Sequence, residues 1–269
     1  MNKQTILLST LLVACIPNIA SANSFNNYDV KGGYAFRLEG TSSIVLVDPT
    51  RTVATGQLLA DGAGHISGHG SFRSAGLTCA ATITGTYDIA PNGAGGLSST
   101  MTSVTSGCTT EMFNLAVVLS DKGASVDGVS TGNDNLIGKF TRQGKVGFKL
   151  SDFSGSYAMR LAGTSTMVSA KPSLTVGVGI LTTDGQGRLG GIGTMRSANV
   201  TCHGVFKGTY KVATDGAGSM TTLFTTSDPG CVTRAVDFNM ALLQKGNGAE
   251  IASAENDYMA GSLHRQTPK

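Results

Sequence analysis

Shifting the 269-residue chain against itself by 123 positions lays one half over the other. Gly33-Tyr34-Ala35-Phe36-Arg37-Leu38-Glu39-Gly40-Thr41 falls on Ser156-Tyr157-Ala158-Met159-Arg160-Leu161-Ala162-Gly163-Thr164, and the register holds to the end. Asp61-Gly62-Ala63-Gly64 meets Asp184-Gly185-Gln186-Gly187, Gly85-Thr86-Tyr87 meets Gly208-Thr209-Tyr210, and Arg142-Gln143 meets Arg265-Gln266. About 42 of roughly 112 aligned positions are identical, far beyond chance. Such a chain must fold as two like units, here placed at 29–145 and 152–269, each long enough to bury its own core. Phe148 to Asp152 lies too close to the start of the second unit to form a long flexible linker, so the two domains are expected to touch.

Within each unit, segments of 8–12 residues rich in Thr, Val, Ile, Leu and Tyr alternate with Gly, Asp, Asn and Pro clusters, and no window sustains a 3.6-residue period. In the first unit the pattern predicts strands near 33–41, 43–48, 53–60, 65–74, 78–90, 96–105, 112–120, 125–130 and 136–142. Eight or nine antiparallel strands with short connections fit up-and-down order better than the long crossings of a Greek key. The expected fold is therefore all-β, with two tandem eight-stranded up-and-down barrel-like domains. The 37 glycines, many at matching sites in the two units, punctuate the turns of these sheets and show no collagen-like period.

The first 22 residues read as a secretory leader: Lys3, a 12-residue apolar run from Thr5 to Ile16, the breaker Pro17, and Ala20-Ser21-Ala22 as the cleavage site. A competing reading takes Leu12-Val13-Ala14-Cys15 as a lipobox with Cys15 acylated. No later segment reaches the roughly 18 apolar residues of a membrane helix. Either reading places the chain outside the cytoplasm, secreted or periplasmic, and removes Cys15 from the thiol count. Cys79, Cys108, Cys202 and Cys231 remain, as expected of two disulfides. Cys79 and Cys108 are centred on the Asn92-Gly93-Ala94-Gly95 turn, and Cys202 and Cys231 on Asp215-Gly216-Ala217-Gly218, so each bridge is predicted to staple one hairpin inside one unit. Loss of Lys3 lowers the formal charge from +3 to +2, and no basic run exists, which argues against nucleic-acid binding.

The pattern Gly-x-Tyr-x-x-x-Leu-x-Gly at the start of a unit, followed by Asp-Gly-x-Gly and Gly-Thr-Tyr, resembles that of uncharacterised secreted bacterial β-repeat proteins. In architecture it is similar to small eight-stranded barrels of the lipocalin and allene oxide cyclase kind. The resemblance implies a fold and no site residue, and the lipocalin Gly-x-Trp signature is unmet because the chain has no Trp.

The more informative polar residues kept in both units are Arg37/Arg160, Arg73/Arg196 and Arg142/Arg265, whose surrounding charges differ. Arg37, Arg73, Arg160 and Arg196 are the candidate ligand-binding residues, as anchors for an anionic group if they face the lumen. If Tyr34, Phe36 and Leu38 fill the barrel instead, Arg37 points outward, to a domain interface or to backbone carbonyls. Tyr87 and Tyr210 share a face with apolar neighbours and read as core. Gly128-Val129-Ser130-Thr131-Gly132 has the form of a hydrolase elbow but lacks the helix that motif needs. His65 and His69 share a strand face yet leave a metal two ligands short, and His203 and His264 are isolated, so no metal is assigned. Asn133-Asp134 and Asn256-Asp257 match no calcium loop and read as turn formers.

Two functions follow. The first is an exported, non-enzymatic protein that binds a small apolar ligand or a macromolecular partner, with small face residues such as Ala81, Gly85, Gly204 and Gly208 leaving space in a barrel. The alternative is a barrel enzyme of isomerase, cyclase or hydrolase type with a site in one repeat only. No catalytic residue and no cofactor is assigned.

Overall fold

The computed structural model describes residues 24–43, 49–144, 147–167 and 171–266. The leader, its cleavage site and Cys15 lie outside the described residues, as do 44–48 of the segment predicted as a strand at 43–48. Eight strands close the first barrel: β1 (Gly32–Ser42), β2 (Thr50–Ala60), β3 (His65–Ser74), β4 (Leu77–Ile89), β5 (Ala94–Ser103), β6 (Glu111–Ser120), β7 (Ser125–Ser130) and β8 (Asn135–Arg142). Each pairs antiparallel with the next, and β8 returns to β1. The second barrel repeats the plan with β9 (Ser154–Ser165), β10 (Ser173–Asp184), β11 (Arg188–Ser197), β12 (Val200–Val212), β13 (Ala217–Thr225), β14 (Arg234–Leu242), β15 (Gly248–Ser253) and β16 (Tyr258–Arg265). The fold is thus two closed up-and-down barrels, and full closure leaves no sheet edge exposed.

Alternation along the strands puts one face inside. Tyr34, Phe36 and Leu38 join Phe72, Ile83, Leu115 and Phe140 in the first core, and Tyr157, Met159 and Leu161 join Phe206, Phe224 and Met259 in the second. The outward positions of β4 are Ala80, Thr82, Thr84, Thr86 and Asp88, and both interiors are apolar, unlike the polar lumen of a membrane barrel. Among the described residues no helix is long and apolar enough to cross a membrane.

The repeated residues hold the same places in both barrels. The Tyr34 hydroxyl donates to Gly123 O (2.6 Å) and accepts from Arg142; Tyr157 donates to Gly246 O (2.9 Å) and accepts from Arg265. The Tyr210 hydroxyl donates to Phe153 O, and that of Tyr87 donates to Asn27 O, tying a short 3-10 segment over the end of each barrel. At the other end Ser42, Thr52 and Ser74 form a buried hydroxyl ladder, repeated by Ser165, Thr175 and Ser197. Asp61 Oδ1 accepts from the N–H groups of His65 and Ala63, which holds its carboxyl down at about 2; Asp184 accepts in the same way from Arg188 and Gln186, which lowers its carboxyl below the ordinary value. Cys79–Cys108 and Cys202–Cys231 are the two bridges, with Cα atoms 6.0 and 5.8 Å apart, each across the open end of one hairpin.

The barrels do touch, and in an asymmetric way. The outer wall of β1–β3 packs against the outer wall of β14–β16. Ala35 lies against Ala241 and Leu243, and Val53 against Ala252 and Ala260, all buried. Gln143 Nε2 donates to Leu242 O (2.8 Å), anchoring the linker at the same seam.

Candidate binding surfaces

The lumens are the first place to seek a ligand. The first encloses a cavity of about 30 Å³ walled by Tyr34, Leu58, Ile66, Tyr87 and Phe140, little more than one water molecule occupies. A small-molecule pocket needs roughly 300 Å³ or more. The glycines that were expected to leave space are consumed by neighbours. A Cβ on Gly204 would stand 2.5 Å from the Phe224 ring, and one on Gly85 or Gly208 would strike the carbonyl of the adjacent strand at 2.2 and 2.0 Å. The missing Cβ atoms let strands approach and rings lie flat on the wall, so small residues here mark filled volume.

The four candidate arginines all point outward, because Phe36, Phe72, Met159 and Met195, their chain neighbours, occupy the cores. None is a lumen anchor for an anionic group. Arg37 and Arg73 instead meet the other barrel. Arg37 Nε lies 3.3 Å from Glu250 Oε2, and Arg37 Nη1 lies 3.5 Å from Glu39. Arg73 Nε donates to Asp257 O (3.0 Å), its Nη1 donates to Ala254 O (3.3 Å) and Thr78 Oγ1 (3.0 Å), and its guanidinium covers the Tyr258 ring. Tyr258 Oη in turn accepts from Gly76 N–H. Arg160 and Arg196, the same residues of the second unit, are exposed. Of the four, only Arg37 and Arg160 come together, on one polar cleft.

That cleft, about 560 Å³, runs along one side of the seam between the barrels. Arg37, Lys139, Arg160 and His264 line it together with Glu39, Asp127 and Glu250. Glu250 is only 2% exposed; Thr141 Oγ1 donates to its Oε1 at 3.4 Å, while Oε2 has Arg37 in ion-pair range without the alignment of a hydrogen bond. Burial pushes the Glu250 carboxyl above its ordinary value, against the opposing pull of Arg37 and Lys139. Arg37 pairs with both Glu39 and Glu250, so the charges at the floor of the cleft satisfy one another, which suits a seam between domains better than a pocket selecting one ion.

The remaining candidates have local partners. His65 pairs with Asp61 (3.0 Å) and His203 with Asp228 (2.9 Å), while His69 reaches across the seam to Asp215 (3.1 Å). Among the described residues no group of three or more His, Cys, Asp or Glu could hold a metal. Ser130 Oγ donates to Asp134 O (2.7 Å) and accepts from Leu136 N–H (2.9 Å), which makes it a hairpin residue; Ser253 repeats both bonds with Asp257 and Met259. Asp134 accepts from Ser43, and Asp257 from Thr166, so both Asn-Asp pairs fasten turns.

The surface that the alternation rule missed lies on the second barrel. On β10 the outward residues are Leu174, Val176, Val178 and Ile180, all exposed, whereas the inward ones include Gly177 and Gly179. The inward glycines yield to Met195 and Met159, so the hydrophobic alternation of this strand runs opposite to the usual sense. Ile192 stands opposite Ile180 on β11, and Val205 opposite Ile192 on β12, extending the apolar patch across three strands. Contiguous exposed apolar surface of this kind marks interaction sites. Its signal was present in the sequence as apolar residues facing away from glycines.

No known family model matches the chain, and no characterised protein matches it in sequence. Among solved structures, the crystal structure of isotype 1 transferrin binding protein B from serogroup B Neisseria meningitidis is similar at a TM-score of 0.35 and 7% identity, covering 87% of this chain and 76% of that one. A likeness at that level transfers neither a partner nor an activity.

Proposed function

We propose that the protein is an exported, non-enzymatic binding protein that engages a macromolecular partner through the outer walls of its tandem barrels. The observation that carries this reading is the pairing of a filled lumen with an exposed apolar wall on β10 and β11. A barrel that binds a small apolar ligand needs an empty interior, and a barrel enzyme needs convergent polar groups in one; the first lumen offers about 30 Å³ lined by apolar side chains and two tyrosines. Two disulfides and the leader at 1–22 support an oxidising compartment outside the cytoplasm. The test is a photo-crosslinking amino acid placed at Val178 and, as a control, at the exposed Thr84 of β4, in the chain exported by its own host. A macromolecular adduct at Val178 and none at Thr84 is the expected result. No adduct at Val178, together with a small molecule retained in native mass spectrometry, would overturn it.

A further inference from the structure

The join between the two barrels is head-to-tail, and that has a geometric consequence. The first unit contributes its β1–β3 wall and the second its β14–β16 wall, which in the 123-residue register corresponds to β6–β8 of the first unit. Each barrel is a copy of the other, so each owns both kinds of wall and uses only one. The first barrel leaves most of its β6–β8 wall uncovered, meeting the second at the β8 margin where Thr141 donates to Glu250 Oε1, and the second leaves most of its β9–β11 wall uncovered, with Arg160 of β9 on the edge of the cleft beside the seam. Heterologous interfaces of this type repeat between molecules unless something blocks them.

The free walls carry their exposed apolar residues at the positions that the internal join buries. Val53, Thr55 and Gln57 are 0%, 2% and 6% exposed inside the join, and their counterparts Val176, Val178 and Ile180 are 49%, 60% and 41% exposed. On the opposite wall Ala241, Ala252 and Ala260 are buried, and their counterparts Val118, Val129 and Ile137 are 57%, 51% and 58% exposed. The charges repeat as well. Arg37 faces Glu250 across the internal join; the corresponding residues of the free walls are Arg160 and Asp127, both exposed and with no ionic partner among the described residues. Arg73 caps the turn that ends in Asp257, and its counterpart Arg196 would find the turn that ends in Asp134.

We infer that the β9–β11 wall of one molecule docks on the β6–β8 wall of a second copy, reproducing between chains the join that exists within the chain. Val176 then packs against Val129 and Ile137 where Val53 packs against Ala252 and Ala260, which makes the intermolecular join wider and more apolar than the internal one. Arg160 of one molecule faces Asp127 of the next. This inference rests on the outer walls being binding surfaces and names a second copy as what covers them.

The test uses the full exported chain, with disulfides intact, and two exposed-site variants, Val178→Asp and Ile137→Asp. Sedimentation velocity of the wild type is expected to show concentration-dependent association in the micromolar range. Either variant alone should weaken association by about 30-fold or more, the effect of losing one central apolar contact. An equimolar mixture of the two should form a complex of two molecules and no larger species, because each variant retains the wall that the other has lost. The mixture also shows that both variants are folded. A wild type that stays monomeric, an Ile137→Asp variant that still associates with itself, or a mixture that does not pair would each overturn the inference. A monomeric wild type whose Val178 crosslinks to a foreign macromolecule would leave the proposed function standing and remove only the self-association.

Discussion

Arg37 Nε of the first barrel stands 3.3 Å from Glu250 Oε2 of the second, while Arg160 and Asp127, the residues at the same two places in the other copies, are both exposed. Duplication kept the arginine and the acid in each unit, and docking used one of each. The same sequence position is therefore an interface residue in one barrel and a surface residue in the other, which allows matched measurements within a single protein.

Arg73 and Arg196 form such a matched pair. Arg73 is buried and donates to two carbonyls of the second barrel, Asp257 O and Ala254 O, so Arg73→Ala removes two charge-assisted hydrogen bonds across the seam together with the guanidinium that covers Tyr258. A loss of about 2–4 kcal/mol is expected in urea denaturation. Arg196→Ala, which removes an exposed side chain whose bond goes to Thr201 Oγ1 of its own barrel, should stay within about 0.5 kcal/mol of wild type. Equal effects would mean that the seam contributes nothing at Arg73.

Glu250 sets a pH dependence. Burial raises its native value above the ordinary carboxyl value of about 4.5, so the folded state holds a proton over a window in which the unfolded chain has lost it. Stability from this group therefore rises as pH falls through the native value and levels off below about 4.5. Asp257, raised by burial as well, acts in the same direction. Glu250→Gln is expected to flatten the Tm-against-pH curve and to unfold at higher temperature than wild type at pH near 8, with the difference shrinking toward pH 4.5. A wild-type lead that widens on going to alkaline pH would contradict this.

Gly204 tests whether the lumen is filled. Its Cβ would lie 2.5 Å from the Phe224 ring, so Gly204→Ala should cost about 1–3 kcal/mol through forced repacking. Gly96→Ala meets nothing within 4 Å and serves as the control, with an expected change of less than about 0.5 kcal/mol. A stabilising Gly204→Ala would show that the second barrel has room to spare.

The disulfides act within units. Replacing Cys202 and Cys231 by Ser opens a loop closed over a separation of 29 residues, for an expected loss of about 3–4 kcal/mol. Calorimetry should show the loss in the transition of the second barrel, with the Cys79–Cys108 barrel following only so far as the seam couples them.

Sequence alone determined the duplication, the two barrels, the positions of the eight described strands of the first unit to within about three residues and the pairing of the cysteines, because each depends on local periodicity or on turns that lie midway between paired residues. It also brought forward the repeated arginines as the polar residues to explain. It could not decide which way they faced or what they met. Whether Arg37 pairs with Glu250 while Arg160 is exposed depends on which wall of one barrel rests on which wall of the other, and two copies with nearly the same pattern carry no local mark of that choice. The space left by Gly85, Gly204 and Gly208 was equally undecidable, since a missing Cβ reads as a void until the ring or strand that occupies it is placed. The tertiary structure decided both, because packing across strands and barrels joins residues far apart in the chain, and there the filled first lumen, the rings and strands that take up the glycine sites, and the uncovered walls become visible.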